Sequence, residues 1–163
     1  MSKDMMIFNA CSHNIDRVQY NAVECPLCGG KGYYYDIAYD QRGDIITCEN
    51  EIKLQQEVLK ILCDIKGGNK FHPNYGNEIH NSGVGRKQND EMKQRIQVMI
   101  YDALQYLRSI QINNKIIFNN MTDAELLDDI DEINVEAVAP MRYKISIKFK
   151  NANNVIFSQS MIL

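Results

Sequence analysis

Four side chains near the start of the chain have the types and the spacing of metal ligands. Cys25 and Cys28 are separated by two residues within the segment CPLCGGKG. Two thiolates at this spacing can grip one ion, and the glycines let the chain bend past the sulfurs, where a Cβ would clash. Cys11 and His13 offer a second pair, and three sulfurs with one imidazole suit tetrahedral zinc. The sequence therefore predicts a structural zinc site with these four ligands.

Alternatives to this ligand set remain open. Cys48 could replace either Cys11 or His13, and Cys25 and Cys28 could be ordinary thiols in a turn. A redox role for CPLC is disfavoured, because it needs a helix that begins at the first cysteine, and the following Gly-Gly-Lys-Gly opposes one. A zinc ion with four protein ligands has no open position for water, so the predicted site stabilises a fold rather than catalysing a reaction.

The cysteines divide the chain into two regions of different composition. Residues 1–50 contain four of the five cysteines, with 4 basic and 7 acidic side chains, whereas residues 51–163 contain 14 of each charge. Residues 1–50 are predicted to form a zinc-binding knuckle and a hairpin, with strands at 33–40 and 44–49. Fifty residues bury too little apolar surface to be stable without such help. Residues 51–163 are enough for a domain of their own, in which the fifth cysteine, Cys63, is assigned to packing.

The composition of the 163 residues excludes several classes of protein. Hydrophobic residues make up 45% of the chain and charged residues 24%, as in globular proteins. A net charge of -3 and a pI near 5.6 argue against nucleic-acid binding, which requires a basic surface. No run reaches the roughly 18 apolar residues that span a bilayer, and the start lacks the apolar stretch of a signal peptide. We therefore expect a soluble protein that is made in a reducing compartment and binds neither nucleic acid nor a membrane.

Apolar periodicity predicts an α+β fold for residues 51–163. Residues 51–63 and 90–107 have apolar side chains at helical spacing, and an ordered loop is expected between them. Alternation predicts strands at 110–118, 133–139, 143–149 and 155–161, with a short helical turn after Thr122. Two helices followed by an antiparallel sheet form an α+β domain rather than a βαβ fold.

The loop between the two predicted helices carries a resemblance to a known family. It reads GGNKFHPNYGNEI over residues 67–79 and contains a Pro73-x-Tyr75-Gly76 element. In this element and in the order of helices and strands, residues 51–163 resemble the baseplate-wedge family of contractile phage tails, the sheath initiators typified by the gene-25 product of T-even phages. That family usually has Glu-Pro-Arg after the long helix, where this chain has Tyr-Leu-Arg, so only Arg108 fits that position.

The resemblance implies a structural role in a virion. Members of the family sit in the inner baseplate around the tail tube and present a sheet edge to the first ring of sheath subunits. The expected partners are therefore the tail sheath protein, the tail tube and other baseplate wedge proteins, with assembly in the host cytoplasm and the tail baseplate as the final location.

The hairpin of residues 143–163 is the expected partner-binding element. An edge strand has main-chain N–H and C=O groups that a partner strand can complete. The residues expected to bind are Tyr143, Ile145, Ile147, Val155 and Phe157. The alternative is that both strands of the hairpin lie inside the sheet.

Acidic residues raise the alternative of glycoside hydrolysis, which older labels of the family also suggest. That reaction needs two carboxyl groups that flank a cleft. The candidates are Asp123, Glu125, Asp128, Asp129, Asp131 and Glu132. Such a density is typical of a solvated face, and no Ser-His-Asp or phosphate-binding motif is present. We expect a non-enzymatic protein, with a zinc-ribbon interaction module of another assembly and a wall hydrolase as the alternatives.

Overall fold

The computed structural model of the protein describes residues 4–5, 47–79, 89–119, 121–139 and 142–162. Within these ranges the chain forms two α-helices followed by a three-stranded antiparallel sheet, with a two-stranded ribbon ahead of them. The α+β fold predicted from the sequence is confirmed. Neither described helix combines the length and the apolar content that crossing a bilayer requires.

The ribbon consists of β1 (Asp4–Met5) and β2 (Thr47–Cys48), which pair antiparallel. The elements that follow are α1 (Asn50–Cys63), α2 (Asp90–Phe118), a 3-10 turn (Asp123–Glu125), β3 (Leu127–Ala139), β4 (Arg142–Asn151) and β5 (Ile156–Ile162). The helix predicted at 51–63 and the strands predicted at 143–149 and 155–161 are confirmed to within two residues at each end, as is the short helical turn after Thr122.

The loop after α1 is fixed by the buried side chain of Asn77. Its amide nitrogen donates to the carbonyl groups of Leu62 at 2.5 Å and of Asp64 at 3.2 Å, and its oxygen accepts from the Ile79 N–H at 3.0 Å. These bonds satisfy carbonyl groups that a helix end leaves without partners. Gly76 precedes it with a φ of +103°, and a Cβ there would lie 2.7 Å from the Asp64 carbonyl oxygen. The glycine of the Pro-x-Tyr-Gly element is therefore required by the way α1 ends.

Helix α2 is longer than the sequence predicted. It begins after Asn89, whose side chain accepts from the Met92 N–H at 2.9 Å, and it ends at Phe118, before Asn119, which has a left-handed φ of 48°. The prediction of a strand over residues 110–118 is wrong, because these residues form the last turns of the helix. The last core-facing residue of α2 is Gln111, so the apolar side chains beyond it are not confined to one face and lose the helical period.

The sheet has β4 at its centre, with β3 and β5 on either side. Ile147 on β4 pairs with Ile133 on β3 and with Gln159 on β5, and these positions share the inner face of the sheet. β3 begins at Leu127, earlier than the predicted residue 133. The acidic stretch is compatible with a strand because its side chains meet lysines of β4 on the outer face.

The hydrophobic core lies between the two helices and the inner face of the sheet. Its fully buried members include Leu54, Ile61, Leu62, Ile96, Ile100, Leu104, Tyr143, Ile145, Ile147 and Phe149. Cys63 packs against this core, as predicted. Burial raises the pKa of its thiol, and the nearby charge of Asp64 raises it further.

Candidate interaction surface

The open edge of β5 is the surface best suited to receive another strand. Its seven residues, IFSQSMI, contain no charged side chain. Each residue from Ile156 to Ile162 pairs with one residue of β4 without a register shift. Within the described part of the chain, no side chain hydrogen bonds to the main chain of β5. A regular, uncharged edge strand of this kind offers a row of N–H and C=O groups to a partner strand.

The opposite edge strand, β3, is protected against pairing. Its register against β4 shifts at three places, and such irregularities bend an edge away from a regular partner. Gln97 of α2 donates to the Ile133 carbonyl at 2.9 Å, and the Asp129 carboxylate accepts from the Ile130 N–H at 2.9 Å. Five acidic side chains lie along the strand: Asp128, Asp129, Asp131, Glu132 and Glu136. Charges, bulges and covering side chains are the means by which proteins prevent edge pairing.

The acids of β3 are engaged by basic side chains on the outer face of the sheet. Glu132 pairs with Lys148 at 2.7 Å, and Asp131 pairs with Lys150 at 2.6 Å. In each case the hydrogen bond from the lysine, and then the nearby negative charge, raises the pKa of the lysine. This ladder joins β3 to β4 and does not extend to β5. These pairs agree with the expectation of a solvated face for the acids of β3, whereas the same expectation is wrong for Glu125, which is buried.

Arg108 of α2 takes part in the same arrangement. It is the one residue that fits the Glu-Pro-Arg element of the resembled family, and it pairs with Asp128 at 3.2 Å. Both side chains are exposed or nearly so, which limits the contribution of the pair to stability. The arginine therefore links α2 to the start of β3.

A buried polar network anchors the start of β3 to both helices. The Glu125 carboxylate has no exposed surface, pairs with the Lys53 ammonium at 3.2 Å and accepts from the Asn50 N–H at 3.3 Å. The side chain of Gln111 accepts from the Leu127 N–H at 2.8 Å. Sequence reasoning missed this network, because Glu125 stood among exposed acids and Gln111 fell in the wrongly predicted strand. The available signal was Gln111 itself: if α2 is extended to residue 118, this polar residue falls at a core-facing position and needs hydrogen-bond partners.

The predicted partner-binding residues do not share one location. Tyr143, Ile145 and Ile147 lie on the inner face of the central strand and are at most 1% exposed, so they belong to the core. Val155 is exposed just before β5, and Phe157 of β5 stacks on a phenylalanine of β4 with ring centroids 5.4 Å apart. The expectation of an edge hairpin is therefore corrected in part: β4 is internal, and the open main chain is that of β5. Partner binding itself stays a prediction.

The inner faces of β4 and β5 each contain one buried polar atom without a hydrogen-bond partner among the described residues, and on β4 it is the Tyr143 hydroxyl oxygen. Gln159 lies opposite Ile147, and its side-chain oxygen is buried without a hydrogen-bond partner among the described residues. A buried acceptor without a partner costs on the order of 1–3 kcal/mol. β5 is therefore held to the sheet by its main-chain ladder and by the packing of Phe157 and Met161. The buried Gln159 oxygen offsets part of this stabilisation.

The predicted zinc ligands Cys11, His13, Cys25 and Cys28 lie outside the described residues, as does most of the predicted hairpin. Cys48, the predicted substitute ligand, is buried in β2, where it pairs with Asp4. Among the residues whose placement is described, no group of three His, Cys, Asp or Glu side chains is arranged to hold a metal ion. The zinc site and the division of the chain at residue 50 stay predictions.

A cleft of 270 Å³ lies between the loop after α1 and the middle of α2. Two carboxylates, those of Glu78 and Asp102, are among its lining groups. Lys66 also lines the cleft and pairs with Glu78 at 2.7 Å; this hydrogen bond and the charge of Glu78 raise the pKa of the lysine. These two carboxylates lie before residue 122, outside the acidic stretch that the sequence pattern indicates, and they meet only because the loop after α1 packs against α2.

Comparisons with known proteins give a similarity of fold. No family model matches the chain, and no curated protein sequence matches it. Among solved structures, the chain is similar to a protein of Geobacter sulfurreducens whose provisional description is that of a tail lysozyme. The two share 16% sequence identity with a TM-score of 0.51, over 68% of this chain and 86% of that one. At this level of identity the similarity shows a common fold alone.

Proposed function

We propose that the protein is a structural component of a contractile phage tail baseplate, in the inner wedge, and that the β5 edge receives a strand of the first sheath ring. The observation that carries this proposal is the contrast between the protected edge of β3 and the uncharged, regular edge of β5. The shared fold with a protein described as a tail lysozyme supports a place in a tail. The resemblance of residues 51–163 to sheath initiators supports the place in the baseplate.

Strand addition explains how such an edge could template a ring. A partner strand that pairs with β5 would gain main-chain hydrogen bonds, each of which contributes about 0.5–1.5 kcal/mol net. The unbroken register of β5 would fix the partner at one translation along the strand, because a slip by one residue would turn its side chains to the wrong face. Several copies arranged in a ring would then act together, so each contact can be weak.

The proposal extends to the first fifty residues. There the ligand set Cys11, His13, Cys25 and Cys28, with Cys48 as the substitute, would hold one structural zinc ion. The tail tube and the other wedge proteins are the partners proposed for the remaining surfaces. Elemental analysis of the purified chain tests the metal: we expect close to one zinc per chain and its loss in Cys25→Ser, whereas an unchanged zinc content would contradict the ligand set.

A pair of matched variants tests the role of β5. Asn134 on β3, Ser146 on β4 and Ser160 on β5 lie in one row across the outer face of the sheet. Ser160→Lys and Asn134→Lys therefore place the same charge at the two edges, in equivalent positions beside β4. A lysine on an edge strand opposes pairing with another strand.

The measurement is binding to the tail sheath protein encoded in the same genome. Pull-down gives the affinity, and electron micrographs show whether the sheath assembles. We expect Ser160→Lys to weaken binding about tenfold or more, which corresponds to about 1.4 kcal/mol, and Asn134→Lys to leave it within about twofold. Urea denaturation of both variants confirms that each is folded. Equal effects at the two edges, or no effect at Ser160, would contradict the proposal.

A second candidate function is hydrolysis of cell-wall polysaccharide in the cleft beside α2. It is favoured by the presence of Glu78 and Asp102 in one cleft and by the description of the Geobacter protein as a tail lysozyme. Glu78 is already engaged by Lys66, whereas a general acid must be available to the glycosidic oxygen. Release of sugar fragments from peptidoglycan, lost in Glu78→Gln and in Asp102→Asn, would establish this function in place of a purely structural one.

A further inference from the structure

The last two turns of α2 carry an apolar surface that the described part of the chain does not cover. Ile116 is 75% exposed, Ile117 is 68% exposed and Phe118 is 64% exposed, and Ile112 lies one turn earlier. Residues 112–118 extend roughly 10 Å beyond the last core-facing residue, at 1.5 Å per residue. The apolar side chains of this end, called here the α2 tip, point to several sides of the helix and do not form one stripe that faces the core.

The two strands that flank residues 6–46 are attached to the part of the domain that follows α2. They leave from β1 and return to β2, and these two strands pair with each other, so the segment starts and ends at one place. β2 leads into Asn50, whose side-chain oxygen accepts from the Thr122 hydroxyl at 3.1 Å. Thr122 follows the end of α2 by only four residues. Both ends of the segment are therefore attached within a few residues of Asn50, which contacts Thr122 four residues after the end of α2.

The segment has the composition to cover such a surface. Residues 6–46 contain five of the nine tyrosines of the chain, three of them consecutive at 33–35. Tyrosine rings bury a large apolar area while their hydroxyl groups remain in water. A unit of about fifty residues or fewer gains stability by burying apolar surface against a neighbouring domain, because its own core is small.

We propose that residues 6–46 pack on the α2 tip, with Ile112, Ile116, Ile117 and Phe118 as the contact surface on the helix. The contact joins the N-terminal segment to the α+β domain through side chains as well as through the β1–β2 ribbon. It depends neither on the baseplate role nor on the identity of a metal. Other occupants of the same surface, a second copy of the chain or a different protein, give different results in the experiment below.

Photo-crosslinking in the full chain tests the contact. The photoreactive residue p-benzoylphenylalanine is introduced in place of Ile116 and, as the matched control, in place of Val98, which is 59% exposed near the other end of the same helix. After irradiation of dilute protein, crosslinked peptides are identified by mass spectrometry. We expect products of monomer mass that join position 116 to residues 6–46, and no such products from position 98.

A second measurement reports on the same contact without the probe. In Ile116→Asp, amide hydrogen exchange of peptides from residues 6–46 should become about tenfold faster. Burial of one isoleucine side chain stabilises the contact enough to slow local opening by about this factor. In Val98→Asp it should be unchanged. Crosslinks to a second copy at dimer mass, crosslinks that avoid residues 6–46, or equal exchange in the two variants would each overturn the proposal.

Discussion

β3 and β5 pair with the same central strand, but they differ in charge, in regularity and in what covers them. β3 carries five acids, shifts its register three times and has main-chain groups bonded to Gln97 and Asp129. β5 carries no charge, keeps one register and has a buried amide oxygen that no described residue hydrogen bonds. Among the described residues, side chains bond the main chain of β3 and not that of β5, so the two edges differ in sequence and covering and not only in position.

The difference also shows how each edge is held in place. β3 is attached at its start by the buried network around Glu125 and along its length by ion pairs to β4. β5 relies on its ladder to β4 and on packing of its inner face. An edge that is held only from one side can accept a partner on the other, because its main chain is not committed elsewhere.

The largest effect is expected where β3 begins. Glu125→Ala leaves the buried Lys53 ammonium without this carboxylate and should lower the free energy of unfolding by about 3–5 kcal/mol. Asp123→Ala removes an exposed partner of Lys115 two residues earlier and should cost less than about 1 kcal/mol. Urea denaturation measures both values. Equal losses would show that the buried pair is not what anchors β3.

On β5, the largest effect is expected at the aromatic contact of the inner face. Phe157→Ala removes a partly buried ring that stacks on Phe149 and should lower the free energy of unfolding by about 2 kcal/mol. Ile156→Ala, on the exposed outer face, should change it by no more than about 0.5 kcal/mol. If Ile156→Ala lowers the free energy of unfolding as much as Phe157→Ala does, contacts on the outer face also hold β5 in place. β5 would then not depend on its inner face and its ladder alone.

Replacing one glutamine beside each edge strand should change the free energy of unfolding in opposite directions. Gln97→Met removes the hydrogen bond to the Ile133 carbonyl and should lower the free energy of unfolding by about 1 kcal/mol. Gln159→Met removes a buried oxygen that has no hydrogen-bond partner in the described part of the chain, and should raise the free energy of unfolding by about 1 kcal/mol. Thermal and urea unfolding measure both variants. A loss of stability in both would mean that the Gln159 side chain has a hydrogen-bond partner in solution.

The smallest effect concerns the ion pairs that join β3 to β4. Glu132 raises the pKa of Lys148 above the ordinary lysine value of 10.5, so the stabilisation is fully present below pH 10.5 and is lost as the pH rises through the raised value. The stability difference between the wild type and Glu132→Gln should therefore be present at pH 7 and absent well above pH 10.5. A difference that persists at high pH would assign the effect to packing instead of charge.

The general fold could be predicted from the sequence because its strongest periodic signals lie in elements with one buried face. β4 alternates cleanly since its inner side chains are in the core and its outer side chains meet water and the acids of β3. The start of α2 was also predictable, because its apolar period begins at Met92; the N-cap itself is Asn89, one residue before the first helical residue. The end of α2 was not, because residues beyond Gln111 have no core to face and so no periodic constraint.

The interaction surface could be predicted only in part. Alternation identified the 143–163 hairpin, but period two does not distinguish a central strand from an edge strand. Tyr143, Ile145 and Ile147 were therefore assigned to a partner although they face the core. Absence of charge over residues 155–163 was visible in the sequence and would have selected β5 as the open strand. The buried Lys53–Glu125 pair joins residues 72 positions apart, which periodicity cannot show.

An electron-microscopy map of the assembled tail tests the central claim most directly, because it shows what lies beside each edge of the sheet. We expect a strand of a sheath subunit paired with Ile156–Ile162, and no strand paired with the outer side of β3. A map in which β5 faces solvent, or in which a partner pairs with β3 while β5 remains open, would contradict it.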